Sequence, residues 1–173
     1  MGKYLLIFFC SFILLLNNKL KAQDPQFSQY YAAPLFLNPA LAGINQIGRA
    51  GINYRNQWPS IEASFETFSS YIDYNFDEKN SSLGLIITKD TEGLAGLAST
   101  EIGLQYAYQV NLNYKWIFRP AFQVSYTTRD LDFSKLTFGD QFDNTGLVRP
   151  ISAEQFNNGQ KTSYIDLGLG GIW

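Results

Sequence analysis

The sequence predicts an all-β protein, an antiparallel transmembrane β-barrel of the outer-membrane type. Three observations point there. Side chains alternate between apolar and polar over runs longer than a soluble strand, the polar positions are filled by small and amide residues, and the chain opens with an export signal.

The signal comes first in the chain. Lys3 precedes an uncharged run from Leu5 to Leu16, and polar residues from Asn17 to Lys21 lead to the small Ala22. This is the plan of a secretory signal peptide, with cleavage expected between Ala22 and Gln23 and Leu20 at the third position before the cut. The run is shorter than the roughly 20 apolar residues of a membrane-spanning helix. Cys10 lies inside it without the small residues that precede a lipidated cysteine, so the mature chain has no thiol for a disulfide, a nucleophile or a metal. Histidine is absent throughout, which excludes imidazole catalysis and the usual zinc sites. Removing Lys3, Lys19 and Lys21 and no carboxylate takes the formal net charge from -2 to -5, which argues against nucleic acid as a partner. Aromatic residues make up 16% of the chain while mean hydropathy stays slightly negative, a mixture that suits strands with one apolar face.

From Gln23 to Gly43 the chain carries Pro25, Pro34 and Pro39 and little alternation, so irregular structure or short turns are expected. Arg49 to Trp58 then alternates, with Ala50, Ile52 and Tyr54 against Gly51, Asn53, Arg55 and Gln57, and Pro59 ends the run. In Phe65 to Phe76, Phe68, Ile72, Tyr74 and Phe76 share a face opposite Thr67, Ser69, Tyr71, Asp73 and Asn75. Asp77 to Ser81 reads as a turn, Ser82 to Lys89 as a shorter and less clear strand, and the stretch with Gly93 and Gly96 as a loop. Thr100 to Asn113 gives the longest alternation: Ile102, Leu104, Tyr106, Tyr108, Val110 and Leu112 on one face, and Glu101, Gly103, Gln105, Ala107, Gln109 and Asn111 on the other. Trp116, Phe118, Pro120, Phe122, Val124 and Tyr126 continue it, which requires a tight hairpin turn near Asn113 and Tyr114. Pro120 cannot donate to a ladder, so a bulge or an open stretch is expected there. Arg129 to Gly146 and Pro150 to Lys161 read as loops. Ser163 to Trp173 is a last strand, with Ile165, Leu167, Leu169 and Trp173 on one face.

A soluble sandwich would also use such strands, but its strands run to about 5 or 6 residues, whereas a tilted membrane strand needs about 9 to 11. The two longest runs exceed that requirement. Their polar faces of Gly, Ala, Gln, Asn and Ser suit a crowded, wet lumen, and Tyr114, Trp116 and Tyr126 near strand ends suit the headgroup layer. Six strands fall short of the roughly eight of the smallest bacterial barrels. The expectation is therefore a signal peptide over residues 1–22 and, over 23–173, the N-terminal part of a longer barrel.

A resemblance adds to this. The stretch QDPQFSQYYAAPLFLNPALAG (Gln23 to Gly43) is similar to the start of mature proteins of the PorP/SprF family of the type IX secretion system. Agreement continues at RAGINYRNQWPSI (Arg49 to Ile61), SYIDYNF (Ser70 to Phe76), LQYAYQVNL (Leu104 to Leu112) and KLTFGDQFDNTG (Lys135 to Gly146). The resemblance covers essentially the whole mature chain and corresponds to the N-terminal half of the family's pattern. It implies an outer-membrane barrel that serves protein secretion, and gliding motility in some bacteria, beside other secretion components and cargo proteins, with outer-membrane lipid around it and no cofactor.

Candidate contact residues follow from the same stretches. Asn38, Pro39 and Gly43 form either a turn that plugs the barrel or docks a partner, or one that only leads the chain into its first strand. Arg55, Gln57 and Trp58 close the first strand, and Arg55 has Asp73 or Glu101 as a possible lumen counter-ion. Asp140 and Gln141 are candidate contacts in the later loop. Asp130 with Asp132, and Asp140 with Asp143, could offer oxygens to calcium, yet the full run of loop ligands and its glycine are missing, so solvated carboxylates are expected. Glu66 and Glu101 have no nucleophile or oriented partner beside them, so no catalytic residue is assigned and no enzyme is expected. Two functions remain: a secretion accessory that holds other proteins, and a small-molecule porin suggested by the polar strand faces.

Overall fold

The structure is a computed structural model that describes residues 27, 29–45, 47–61, 64–93, 96–132, 136–143, 146–147, 152 and 160–173. The expected signal peptide and its cleavage point at Ala22 and Gln23 lie outside the described residues. A segment of short helical turns (Tyr30–Ala32, Pro34–Leu37 and Pro39–Leu41) leads into the strands β1 (Arg49–Gln57), β2 (Phe65–Phe76), β3 (Ser81–Glu92), β4 (Leu97–Tyr108), β5 (Val110–Asn111) and β6 (Ile117–Leu131). A small separate hairpin, β7 (Phe142–Asp143) with β8 (Gly146–Leu147), precedes the last strand, β9 (Gln160–Ile172).

All pairings are antiparallel. The strands form one seven-stranded sheet in the order β1, β2, β3, β4, β6, with β5 and β9 also on β6. Among the described residues β1 and β9 are not paired with each other, so the sheet is not closed. Strands of 12 residues, such as β2, β3 and β4, reach about 40 Å, enough to cross a hydrocarbon layer of about 30 Å with the usual barrel tilt. No helix among the described residues is long and apolar enough to cross a membrane.

The faces are inverted relative to a soluble sheet. The buried face carries Thr67, Ser69, Asp73, Ser82, Thr88, Asp90, Gln105, Arg119, Ser125 and Thr127, whereas Leu104 is 54% and Leu167 80% exposed. The expected alternation holds in β1, β2, β4, β6 and β9, with Ile52, Tyr54, Phe68, Ile72, Ile102, Phe122, Val124, Tyr126 and Ile165 all on the exposed face. Tyr114 and Trp116 are exposed as well.

The elements differ from the sequence expectation in several places: β4 starts at Leu97 rather than Thr100, and the hairpin β7–β8 forms where a loop was expected. β3 is as long as its neighbours, because Leu85, Ile86 and Ile87 hide the alternation: Ile86 is a buried apolar residue on the otherwise polar face. β6 continues to Leu131 rather than ending at Thr127, since Arg129 and Asp130 pair with Ser99 and Ala98 on one side and Thr162 and Lys161 on the other. β9 correspondingly starts three residues early, at Gln160.

The hairpin turn spans Leu112 to Trp116, where the Asn113 carboxamide oxygen accepts the backbone N–H groups of Lys115 and Trp116 at 2.8 and 2.9 Å. Opposite Arg119 and Pro120 the ladder is interrupted. It pairs Ala107 with Ala121, resumes at Val110 with Phe118, and Gln109 donates its N–H to the Asn80 carbonyl at 2.8 Å instead. Pro120 has no N–H to offer the ladder, in keeping with an opening at this point.

Candidate functional site

The segment from Gln29 to Ile44 lies across one half of the polar face. Its apolar contribution is small: Leu35 is 1% exposed, and it packs with Ala40, Ala42, Ile86, Ala107 and Ala121. Pro34 and Pro39 each start a helical turn, where a missing N–H costs nothing. Asn38 joins the two turns, its carboxamide oxygen accepting the Ala40 N–H at 2.9 Å.

Polar contacts fasten the segment at several points. The Gly43 N–H donates to Asp73 Oδ2 at 2.6 Å, and the same carboxylate takes two hydrogen bonds from Arg49, from Nε at 3.0 Å and from an Nη at 2.9 Å. That Arg49 nitrogen also reaches the Leu41 carbonyl at 3.3 Å. Arg119 donates to the Ala42 carbonyl at 2.6 Å and to Ser82 Oγ at 3.1 Å. Gln105 donates to the Leu35 carbonyl and to Gln123 Oε1, both at 2.7 Å, and Gln123 passes the chain on to Glu101 at 3.3 Å. At the sheet edge Asn38 Nδ2 donates to the Gly171 carbonyl at 3.4 Å.

Two glycines make the close fit possible. Gly43 has φ +65°, the left-handed region that L side chains rarely adopt, and a Cβ there would meet Ser82 at 2.6 Å. A Cβ on Gly170 would lie 2.2 Å from Asn38 Oδ1 and 2.8 Å from Pro39 Cγ. Asn38, Pro39 and Gly43 are thus brought together on the polar face, in contact with β2, β3 and β9.

The other half of that face is open. It holds a cavity of about 200 Å³ with Asp90, Glu92, Glu101 and Asp166 facing Arg129, whose guanidinium lies 5.8 Å from the centre of the Tyr164 ring. Thr67 donates to Asp90 in the rows just behind.

The remaining expected contact residues are scattered. Arg55 does not find Asp73 or Glu101: Asp73 is taken by Arg49, which lies directly opposite it, and the Arg55 guanidinium donates to Gln57 on its own strand. The physical reason is register, since Arg55 stands opposite Thr67, six residues from Asp73 along β2. Trp58 sits outside the sheet in the β1–β2 turn with φ +57°, edge-on to Phe65 at 5.5 Å. Asp140 accepts from Ser152 Oγ at 2.7 Å, and the buried Gln141 accepts the Phe138 N–H at 2.7 Å. Glu66 accepts from Asn56 at 3.3 Å on an exposed edge and stands apart from Glu101. Among the described residues no group of three or more acidic, histidine or cysteine side chains is placed to hold a metal.

Arg49, Gln105, Arg119 and Gly170 were not singled out by sequence. Their signal was weak but present: charged or amide residues at polar positions of strands whose other polar positions are small.

A family model described as type IX secretion system membrane protein PorP/SprF matches residues 19–173. No curated protein and no solved structure matches the chain.

Proposed function

The chain belongs to the PorP/SprF family of type IX secretion system membrane proteins, and on that premise we propose that it is an exported outer-membrane barrel component that supports secretion or surface attachment of cargo proteins. It acts by holding other proteins, and its role extends to gliding motility where the system drives it. Export uses the signal peptide that ends at Ala22. The exposed apolar face meets lipid, and the polar face turns inward.

The observation that carries this reading is the segment Gln29 to Ile44 fastened across the polar face. A diffusion channel needs that face free for water and solute, whereas here Asp73, Gln105 and Arg119 are committed to the chain's own backbone. The segment lies toward the end of the sheet that carries the turns at residues 77–80 and 112–116. Outer-membrane barrels keep short turns on the periplasmic side, so this end faces the periplasmic components, and the half with the long β6–β9 connection faces outward.

A strain lacking the gene tests the proposal. Loss of secretion or surface display of at least one type IX cargo is expected, and unaltered display of every cargo overturns it. The porin reading makes a different forecast: purified protein in planar bilayers would conduct steadily without partners.

A further inference from the structure

On the exposed face of the sheet the apolar side chains stop along a line set by register. Away from the turns at residues 77–80 and 112–116, Lys89 of β3 stands opposite Thr100 of β4, Thr100 opposite Thr128 of β6, and Thr128 opposite Ser163 of β9. The row beyond holds Asn56, Glu66, Thr91, Ala98, Asp130 and Lys161, polar or charged on every strand but β4. On β1 and β2 the Lys89 row is still apolar, at Tyr54 and Phe68, so the line steps by one row, as a flat surface does where it crosses tilted strands. Between the line and the turns β3 shows Ile87, Leu85 and Leu83 to the outside. From Lys89 to Ser81 that strand advances roughly 26 Å, about 20 Å in height at the usual barrel tilt, which fits the bacterial outer membrane, thinner than most bilayers.

The two borders of this apolar band differ in chemistry. Next to the turns it is aromatic: Tyr74 lies edge-on to Phe76 at 4.9 Å, and Tyr106 lies beside Phe122 at 5.5 Å with its hydroxyl 3.0 Å from Ser81 Oγ. At the far border Lys89 is exposed and makes no ion pair among the described residues, since Glu66, the carboxylate diagonal to it, accepts from Asn56. A lysine that faces lipid is costly in mid-bilayer and nearly free at the interface, where its stem lies on apolar surface and an anion can meet its head.

We propose that the row Lys89, Thr100 and Thr128 sets the outer limit of the hydrocarbon along β3, β4 and β6 and binds the phosphate of lipid headgroups, Lys89 supplying the charge and the two threonine hydroxyls further hydrogen bonds. Each of these strands is paired on both sides, so the row stands in mid-sheet whatever lies beyond β1 and β9. The strand ends past this row rise above the acyl chains, and the cavity around Arg129 opens at the level of the headgroups. The site deepens the outer-membrane reading above and rests on it.

The test uses the full chain with Cys10→Ser, folded into vesicles of phosphatidylcholine with added phosphatidylglycerol, and a nitroxide label on Leu85→Cys, Ile87→Cys or Thr91→Cys in turn. Collision with dissolved oxygen and with a water-soluble nickel chelate reads the depth of each label. Oxygen-rich, chelate-poor surroundings are expected at Leu85→Cys and Ile87→Cys, and the reverse at Thr91→Cys. A Thr91→Cys label as sheltered as Ile87→Cys, or a chelate-accessible Ile87→Cys beside a sheltered Leu85→Cys, moves the border off Lys89 and overturns the proposal. Lys89→Gln reads the phosphate contact. Its folded-to-unfolded ratio in urea is expected to fall about fivefold in these vesicles, the worth of one lysine near an anionic surface, and to stay unchanged in neutral dodecyl maltoside micelles. No loss in the vesicles, or an equal loss in both, overturns the binding of phosphate. Free access of the chelate to Leu85→Cys and Ile87→Cys alike refutes the lipid-facing reading itself, an outcome distinct from a displaced border.

Discussion

Arg49 and Asp73 stand directly opposite each other in the β1–β2 register, and the carboxylate that takes two hydrogen bonds from the guanidinium also takes the backbone N–H of Gly43. One fully buried side chain thereby joins the first strand, the second strand and the segment that crosses the polar face.

Asp73→Asn tests this junction. It removes the charge that Arg49 and Gly43 share and leaves a partly buried cation without its counter-ion, a loss of about 2–3 kcal/mol. The expected result is a lower urea midpoint in detergent and faster hydrogen exchange at the Gly43 amide. Unchanged exchange at Gly43 would show that the segment is held elsewhere.

Gly170→Ala separates the segment from the sheet. The added methyl would fall on Asn38 and Pro39, while the same change at Gly168 meets only Gln123 Cβ at an ordinary 3.5 Å. Gly170→Ala is expected to expose residues 29–45 to limited proteolysis with the strands still folded, and Gly168→Ala to leave them protected. Equal protection in both variants would contradict the close fit.

Leu104→Arg places a charge at the middle of the apolar face. If that face meets lipid, folding into bilayers is destabilised by about 2–4 kcal/mol, as measured by denaturant titration in vesicles. A soluble surface would tolerate the change within about 0.5 kcal/mol.

Export supplies a fourth expectation. Mass spectrometry of protein recovered from the membrane fraction should find Gln23 as its first residue, and an arginine introduced at Leu14 should leave the precursor uncleaved in the cytoplasm. Normal processing of that variant would refute the assignment of the signal.

Much of the strand layout was legible because a strand repeats every two residues and lipid and lumen demand opposite side chains. Ile102 to Leu112 and Trp116 to Tyr126 show it plainly, and their register about the Asn113 turn followed. β3 was read short because Ile86 breaks the alternation to join the small buried cluster that includes Leu35 and Ala42. Of the candidate contact residues, Asn38, Pro39 and Gly43 lie together against the polar face, and it was their proline and glycine, which mark unusual backbone, that drew attention to them in the sequence. Arg55 was expected to find a lumen carboxylate, Asp73 or Glu101, and donates to Gln57 instead, since which acid a basic residue meets on a polar face depends on the register between strands.

By itself the sequence determined the class of the protein: all-β, antiparallel, with apolar and polar faces set by period two, a local property of each strand. Only the tertiary structure decided that residues 29–45 return onto the polar face, that Asp73 belongs to Arg49 and Arg119 to the Ala42 carbonyl, and that Gly170 leaves room for Asn38. Those contacts join positions up to 133 residues apart, and hydrogen-bond geometry over such separations is set by how the strands align, which no local pattern encodes.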